Sequence, residues 1–199
     1  MTRWTRHLHS IVGLPALAVV VGGLTACLDI PPDLELIDEV PIVASDRCSA
    51  AREAFVACVI DGDTFDVGQC GDGGERIRML GIDAPETAKP DAPAECWADQ
   101  ATEELRRRIE GRTVFLTFDS TCTGVFGRTL AYTWLGTNSE EEEFVDLTFY
   151  RFINQEMIAE GHVQIFDEEF GDLIYRDDFQ QSRDLAQALG LGLWGVCDP

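Results

Sequence analysis

Between positions 54 and 80 the hydrophobic residues fall into short runs separated by turn-forming residues. Phe55-Val56-Ala57-Cys58-Val59-Ile60 and Thr64-Phe65-Asp66-Val67 flank Asp61-Gly62, a strong hairpin signal because glycine tolerates positive φ. Gly71-Asp72-Gly73-Gly74 makes a second turn, and Arg76-Ile77-Arg78-Met79-Leu80 alternates as a strand does. An antiparallel meander is expected. Farther on, Trp97, Ala101, Leu105 and Ile109 recur every four residues, Glu103 and Glu104 stand four before Arg107 and Arg108, and Gly111 supplies a stop. That pattern predicts one helix with one buried face. Val114-Phe115-Leu116-Thr117-Phe118 and Thr129-Leu130-Ala131-Tyr132-Thr133-Trp134 read as two more strands. A short helix begins at Asn154, with Ile153 and Ile158 in the positions of a hydrophobic staple, and stops at Gly161. The last helix runs from Arg176 to Gly190 and is expected to bury Phe179, Ala186 and Leu189. Five strands with helices after the third and fifth predict a mainly β domain with α: an OB-fold, a five-stranded β-barrel with three helices. Trp97, Trp134 and Trp194 stand at core-like positions, and Glu140 to Glu143 read as a solvated loop tip.

The N-terminus follows a different pattern. Arg3 and Arg6 precede an apolar stretch from Ile11 to Leu24, shorter than the ~20 residues of a spanning helix. It ends in Leu24-Thr25-Ala26-Cys27, the outline of a signal peptide, and these four residues look like the bacterial lipobox, whose cysteine is lipidated. The chain therefore divides into a lipoprotein signal peptide (1–26), a tether rich in Asp, Glu, Pro and Leu (27–46) and one domain (47–199). Leu28, rather than Asp, after Cys27 implies an exported protein anchored at the outer membrane or cell surface.

Charge narrows the chemistry. The formal net charge is −21, and loss of Arg3 and Arg6 with the signal peptide makes it −23. A generic nucleic-acid binder carries a basic face, so any polyanion site here must be built locally from a few arginines. Lys89 is the single lysine. With Cys27 assigned to lipid, Cys48, Cys58, Cys70, Cys96, Cys122 and Cys197 form an even set that reads as three disulfides of an oxidising compartment, their pairing open. None has zinc-knuckle spacing, and His162 alone survives loss of the signal peptide. This argues against zinc hydrolases and against Ser-His or Cys-His nucleophiles. His162 itself reads as a packing or surface residue.

Asp61-Gly62-Asp63-Thr64 and Gly81-Ile82-Asp83-Ala84-Pro85-Glu86-Thr87 place carboxylates in two turns without His or Cys partners, an all-oxygen set suited to calcium or magnesium. Singly, the first is a plain hairpin turn and the second a proline-directed loop. Together with Phe126-Gly127-Arg128-Thr129-Leu130-Ala131-Tyr132 and the ending Gly192-Leu193-Trp194, the ordered motifs resemble the thermonuclease (staphylococcal nuclease) family from Ala54 to Trp194. The resemblance implies a metal-dependent nuclease that hydrolyses phosphodiester bonds of DNA and RNA with little sequence specificity and one bound calcium rather than magnesium ion. It assigns Asp63 and Asp83 as carboxylate ligands, Ala84 as a carbonyl ligand and Asp61 as a carboxylate beside the site. Glu86 would orient or deprotonate the attacking water, and Arg78 and Arg128 would bind the phosphate. Planar guanidinium donors and a cation suit the charge that grows on non-bridging oxygens. The family's arrangement also implies Cys96 with Cys122 as a first disulfide pair, so that reduction would loosen the Arg128 loop.

Three departures stand out: Gly124 where relatives carry an acidic residue, an extra segment at 137–153, and the absence of base-stacking tyrosines after Gly161, for which Phe166 or Phe170 are substitutes. Two other classes of function remain on this reading: a catalytically inactive OB-fold module that binds nucleic acid, and a structural surface lipoprotein. No protein partner is implied.

Overall fold

The computed structural model describes residues 49–124, 126–136, 150–166 and 173–197. The expected signal peptide and tether, Cys27, Cys48, the Glu140 to Glu143 run and Phe170 lie outside the described residues. Strands β1 (Arg52–Val59), β2 (Thr64–Val67) and β3 (Glu75–Met79) form the expected meander. A short β4 (Ile82–Asp83) precedes helix α1 (Ala98–Ile109), and β5 (Thr113–Thr117), β6 (Thr129–Gly136) and β7 (Tyr150–Phe152) follow. Helix α2 (Ile153–Ala159), β8 (Gln164–Ile165), α3 (Arg176–Leu189) and a single turn α4 (Leu193–Val196) complete the chain.

Strands run in the order β3-β2-β1-β5-β6, and a parallel pairing of β3 with β6 (Ile77 to Thr129, Arg78 to Leu130, Met79 to Ala131) closes the sheet on itself. This is the five-stranded barrel with three helices, and closure leaves no free sheet edge along these strands. A register shift between Val56 and Cys58 interrupts the alternation of β1. Before it Ala54 and Val56 point inward and Phe55 outward; beyond it Val59 returns to the core.

The interior holds Phe65, Ile77, Met79, Leu116, Tyr132 and Trp134, all essentially without solvent contact. Trp134 stacks on Phe152 with ring centroids 4.0 Å apart, and Tyr175 and Phe179 pack edge-on against Tyr132, which joins α3 to the barrel. Ala101, Leu105 and Ile109 of α1 are buried as the four-residue spacing predicts, and Glu104 pairs with Arg108. Arg106 and Arg107, however, reach back three residues, to Glu103 and Glu104.

Several expectations need correction. Leu189 is 58% exposed: α3 buries Phe179, Ser182 and Ala186 and stops at Gly190, and the burial passes to Leu193. Trp97 and Trp194 are only half-buried. Gly62 does not have positive φ; a Cβ there would lie 2.7 Å from that of Ala84 and 2.8 Å from that of Ala101, so glycine is required by crowding. The disulfides are Cys58–Cys70 and Cys96–Cys197. Cys96 therefore does not pair with Cys122, which is itself disulfide-bonded. The start of α1 lies against the C-terminal turn α4 rather than the loop before β6.

Candidate active site

Tight turns and strand ends bring the charged residues together. Asp61 and Asp63 sit on the β1–β2 turn, held by hydrogen bonds from the Ile60 and Asp61 amides to the Thr64 carbonyl at 2.9 and 3.3 Å. Arg78 is on β3, Asp83 ends β4, and Ala84, Pro85 and Glu86 continue from it. Arg128 immediately precedes β6, the strand that closes the barrel on β3. One cavity of about 300 Å³ is lined by Asp61, Asp63, Arg78, Asp83, Ala84, Glu86 and Arg128, with Pro85, Phe126 and Phe166. Every residue to which the resemblance assigned a part in catalysis or cation binding thus faces the same space.

Asp63 is buried and fully engaged. Its Oδ1 accepts a hydrogen bond from the Thr64 hydroxyl at 2.8 Å, and its Oδ2 accepts one from the Ala84 amide at 2.7 Å and lies 2.9 Å from Arg78 Nη1. Arg78 Nη1 also donates to the Ile82 carbonyl at 2.6 Å, while Nη2 reaches Asp83 Oδ1 at 2.9 Å. One buried guanidinium therefore spaces two carboxylates. Burial pushes the Asp63 carboxyl up to about 7, the Asp61 charge adds to the effect, and Arg78, the Ala84 amide and Thr64 act against it. Asp83 is raised by desolvation as well, with Glu86, Glu95 and Asp61 reinforcing and Arg78 opposing. These carboxylates carry more negative charge than Arg78 neutralises.

Glu86 is exposed, with Oε2 2.9 Å from Lys89 Nζ. Its amide donates to Glu95 Oε2 at 2.9 Å, and the Glu95 amide donates to the Glu86 carbonyl at 2.9 Å. Neither Lys89 nor Glu95 is singled out by any local motif; Lys89 is distinguished only as the single lysine. Arg128 lies over the Phe126 ring, 5.4 Å from its centroid, and its Nε is buried without a hydrogen-bond partner among the described residues. Phe126 is 81% exposed, and the Phe166 ring lies under Arg78. The Phe-Gly-Arg order already held the signal for Phe126, whose exposure depends on the turn.

His162 does not line the cavity. Its Nδ1 accepts a hydrogen bond from Trp97 Nε1 at 3.2 Å, which leaves the proton of the neutral ring on Nε2, 3.4 Å from Glu160. Glu104, Glu160 and His162 bring ligand atoms within 4.8 Å of one another, but Arg108 bonds both glutamates, and the Nε2 proton occupies the position a cation would need. This second acidic cluster is an arginine's counter-charge, not a cation site.

The profile of the family described as Staphylococcal nuclease homologue matches residues 76–196. The chain is 31% identical to the thermonuclease of Staphylococcus hyicus over 157 residues, covering 77% of this chain and 83% of that protein. It is 40% identical to the thermonuclease of Staphylococcus intermedius over 82 residues, 41% of this chain and 48% of that one. An uncharacterized protein of Methanocaldococcus jannaschii is 26% identical over 157 residues, 70% of each chain. With the family's profile spanning the barrel from β3 to α4, the chain belongs to the staphylococcal nuclease homologue family.

Proposed function

We propose that this domain is a calcium-dependent nuclease that hydrolyses phosphodiester bonds of DNA and RNA with little sequence preference. The observation that carries this reading is the single cavity in which three aspartates, two arginines and Glu86 converge. The residues fit a calcium ion. All candidate donors are oxygens, and a carboxylate buried to 5% exposure, with its pKa raised, is short of positive charge. Asp63, Asp83 and the Ala84 carbonyl would hold the ion, with Asp61 beside them. Bound there, the ion supplies charge stabilisation to a phosphate oxygen.

The protein's own groups divide the remaining work. Arg128, with an unpaired buried Nε and no carboxylate partner among the described residues, is free to take a phosphate oxygen. Arg78 contributes positive charge from the cavity wall while keeping Asp63 and Asp83 in place. Glu86 accepts a proton from the attacking water as the new P–O bond forms and the bond to the leaving oxygen breaks. Nothing in the cavity is arranged to read base edges, which supports cleavage without sequence preference.

The test is incubation of residues 47–199 with plasmid DNA and with RNA, in calcium, in magnesium and in excess calcium chelator. Cleavage in calcium that chelation abolishes is expected; undiminished cleavage in chelator would remove the mechanism. Export and lipid anchoring through Cys27 complete the proposal and agree with the disulfides. Radiolabelled palmitate should enter the wild-type chain in cells and fail to enter Cys27→Ser.

A further inference from the structure

The loop that carries Glu86 has almost no core of its own: Glu86 and every residue from Ala88 to Cys96 are exposed. Its shape rests on a few specific ties. Glu86 and Glu95 exchange two hydrogen bonds, the Lys89 and Ala92 backbones exchange two more at 2.9 and 3.2 Å, and Lys89 pairs with Glu86. Hydrogen bonds this open to water contribute little when isolated. The residue after Glu95 is the anchor: Cys96 is bonded to Cys197, with Cα atoms 5.8 Å apart. Cys197 in turn donates its amide to the Leu193 carbonyl at 2.8 Å, and buried Leu193 donates to the Gly161 carbonyl at 2.8 Å. A continuous path thus leads from Glu86 through Glu95 and the disulfide into the helical layer.

On the other side of Cys96, Trp97 has φ of 75°, the only positive φ of a non-glycine residue among the described residues. The backbone beside the disulfide is therefore held in a conformation that an L-residue leaves when released. We propose that Glu95 is a positioning residue for Glu86, and that the Cys96–Cys197 disulfide is the redox-sensitive tether that keeps it in place. The proposal rests on the nuclease reading of the same cavity. Asp63, Asp83 and Arg78 are held by contacts with one another in the barrel wall, so loss of the tether disorients Glu86 while leaving these three in position. The disulfide is also within reach. It lines a cavity of about 230 Å³ with Asp83, Gln164 and Trp194, adjoining the candidate active site. A small dithiol passes two electrons to the S–S bond, leaving two cysteine thiols and its own cyclic disulfide. Cys58–Cys70, which links β1 to the turn before β3, has no such path to Glu86 and serves as the control.

The experiment measures kcat, KM and circular dichroism for the wild type with and without dithiothreitol. The same measurements are made on Cys96→Ser/Cys197→Ser, Cys58→Ser/Cys70→Ser, Glu95→Ala and Glu95→Gln, each well below its Tm. Expected is a fall in kcat of about 10- to 100-fold, with KM nearly unchanged, for Cys96→Ser/Cys197→Ser and for Glu95→Ala. Glu95→Gln, whose amide oxygen still accepts the Glu86 amide, should retain most of the turnover. Dithiothreitol should slow the wild type and leave Cys96→Ser/Cys197→Ser unchanged. Wild-type kcat in folded Cys96→Ser/Cys197→Ser, or in Glu95→Ala should the double variant unfold, would overturn the tether while leaving the nuclease reading intact. A wild type that cleaves no nucleic acid would bring down both.

Discussion

Among the described residues two arginines are buried, Arg78 at 6% and Arg108 at 3% exposure, and both are surrounded by carboxylates. Arg108 bonds Glu104, Glu156 and Glu160; Arg107 also pairs with Glu104, and Arg151 with Glu156. Three arginines thus meet three glutamates. Although burial works against it, hydrogen bonds from Arg107 and Arg108 hold Glu104 down at about 2. Around Arg78 the balance differs: Asp63 and Asp83 share one guanidinium, Asp61 lines the same cavity, and burial pushes Asp63 up to about 7. The same kinds of charge make a balanced structural joint in one place and, on the proposed reading, a cation site with excess negative charge in the other. One divalent ion would close the deficit, and Arg128 would remain for the phosphate.

The sharpest way to break this comparison is to disable each region in turn. Glu86→Gln and Arg128→Ala should each lower kcat by at least about 100-fold with an unchanged circular dichroism spectrum, as groups acting chiefly in the transition state do. Arg108→Met should do the reverse: turnover per folded molecule is retained, while denaturant unfolding loses about 1 to 3 kcal/mol because Glu160 loses its arginine and Glu104 and Glu156 keep only Arg107 and Arg151. Near-normal turnover in Glu86→Gln or Arg128→Ala would remove that residue's assigned role.

Calcium tests the deficit directly. At a concentration about 100 times its Kd it should stabilise the wild-type domain by about 2.7 kcal/mol, raising Tm by about 5 to 10 °C. Asp63→Asn should abolish that rise and Glu104→Gln should keep it; the opposite pattern would move the cation to the Arg108 cluster.

Without calcium, pH should pull the two regions in opposite directions. Glu104 has a folded pKa below its unfolded value, so its contribution is present above about 4.3 and is lost as pH falls toward 2. Asp63 has a raised folded pKa, so its contribution is present in acid and is lost as pH rises through about 7. Thermal melts in chelator from pH 5.5 to 8 should show a decline in the wild type that Asp63→Asn lacks. An equal decline in both would place its origin elsewhere.

The smallest effect is that of salt. A formal charge of −21 repels nucleic acid at long range, and the Debye length shortens from ~30 Å at 0.01 M to ~8 Å at 0.15 M. kcat/KM at saturating calcium should therefore rise by a few-fold over that window before local phosphate contacts weaken. A monotonic fall would mean that the cavity arginines dominate even at low salt.

Much of the barrel was legible because its signals are local. Asp61-Gly62, the alternation of Arg76 to Leu80 and the four-residue spacing of α1 each specify an element within a few residues. The candidate site was legible for a related reason: Asp63, Asp83, Glu86 and Arg128 stand in turns whose residue order is characteristic. What escaped depends on packing between distant segments. The need for glycine at 62 comes from Ala84 and Ala101, not from its own turn. The bulge in β1 has no compositional mark. The partner of Cys96 is decided by where α4 docks, and on the proposed reading that pairing puts a redox-sensitive tie at the Glu86 loop. Arg108 reads locally as half of an i,i+4 pair, yet two of its three partners lie across the fold on and beside α2.

The parallel seam between β3 and β6 has a bearing on when the domain can act. Arg78 lies on one side of the seam, opposite Leu130, and Arg128 enters from the other, one residue before Thr129 pairs with Ile77. The segments are distant in the chain, so their pairing carries a large loop-closure cost. Until that seam forms, the two guanidinium groups are not neighbours and no cavity exists for a phosphate to enter. On the proposed reading, a chain in which β3 and β6 have not yet paired is harmless to nucleic acid, and the onset of cleavage reports that these two strands have met.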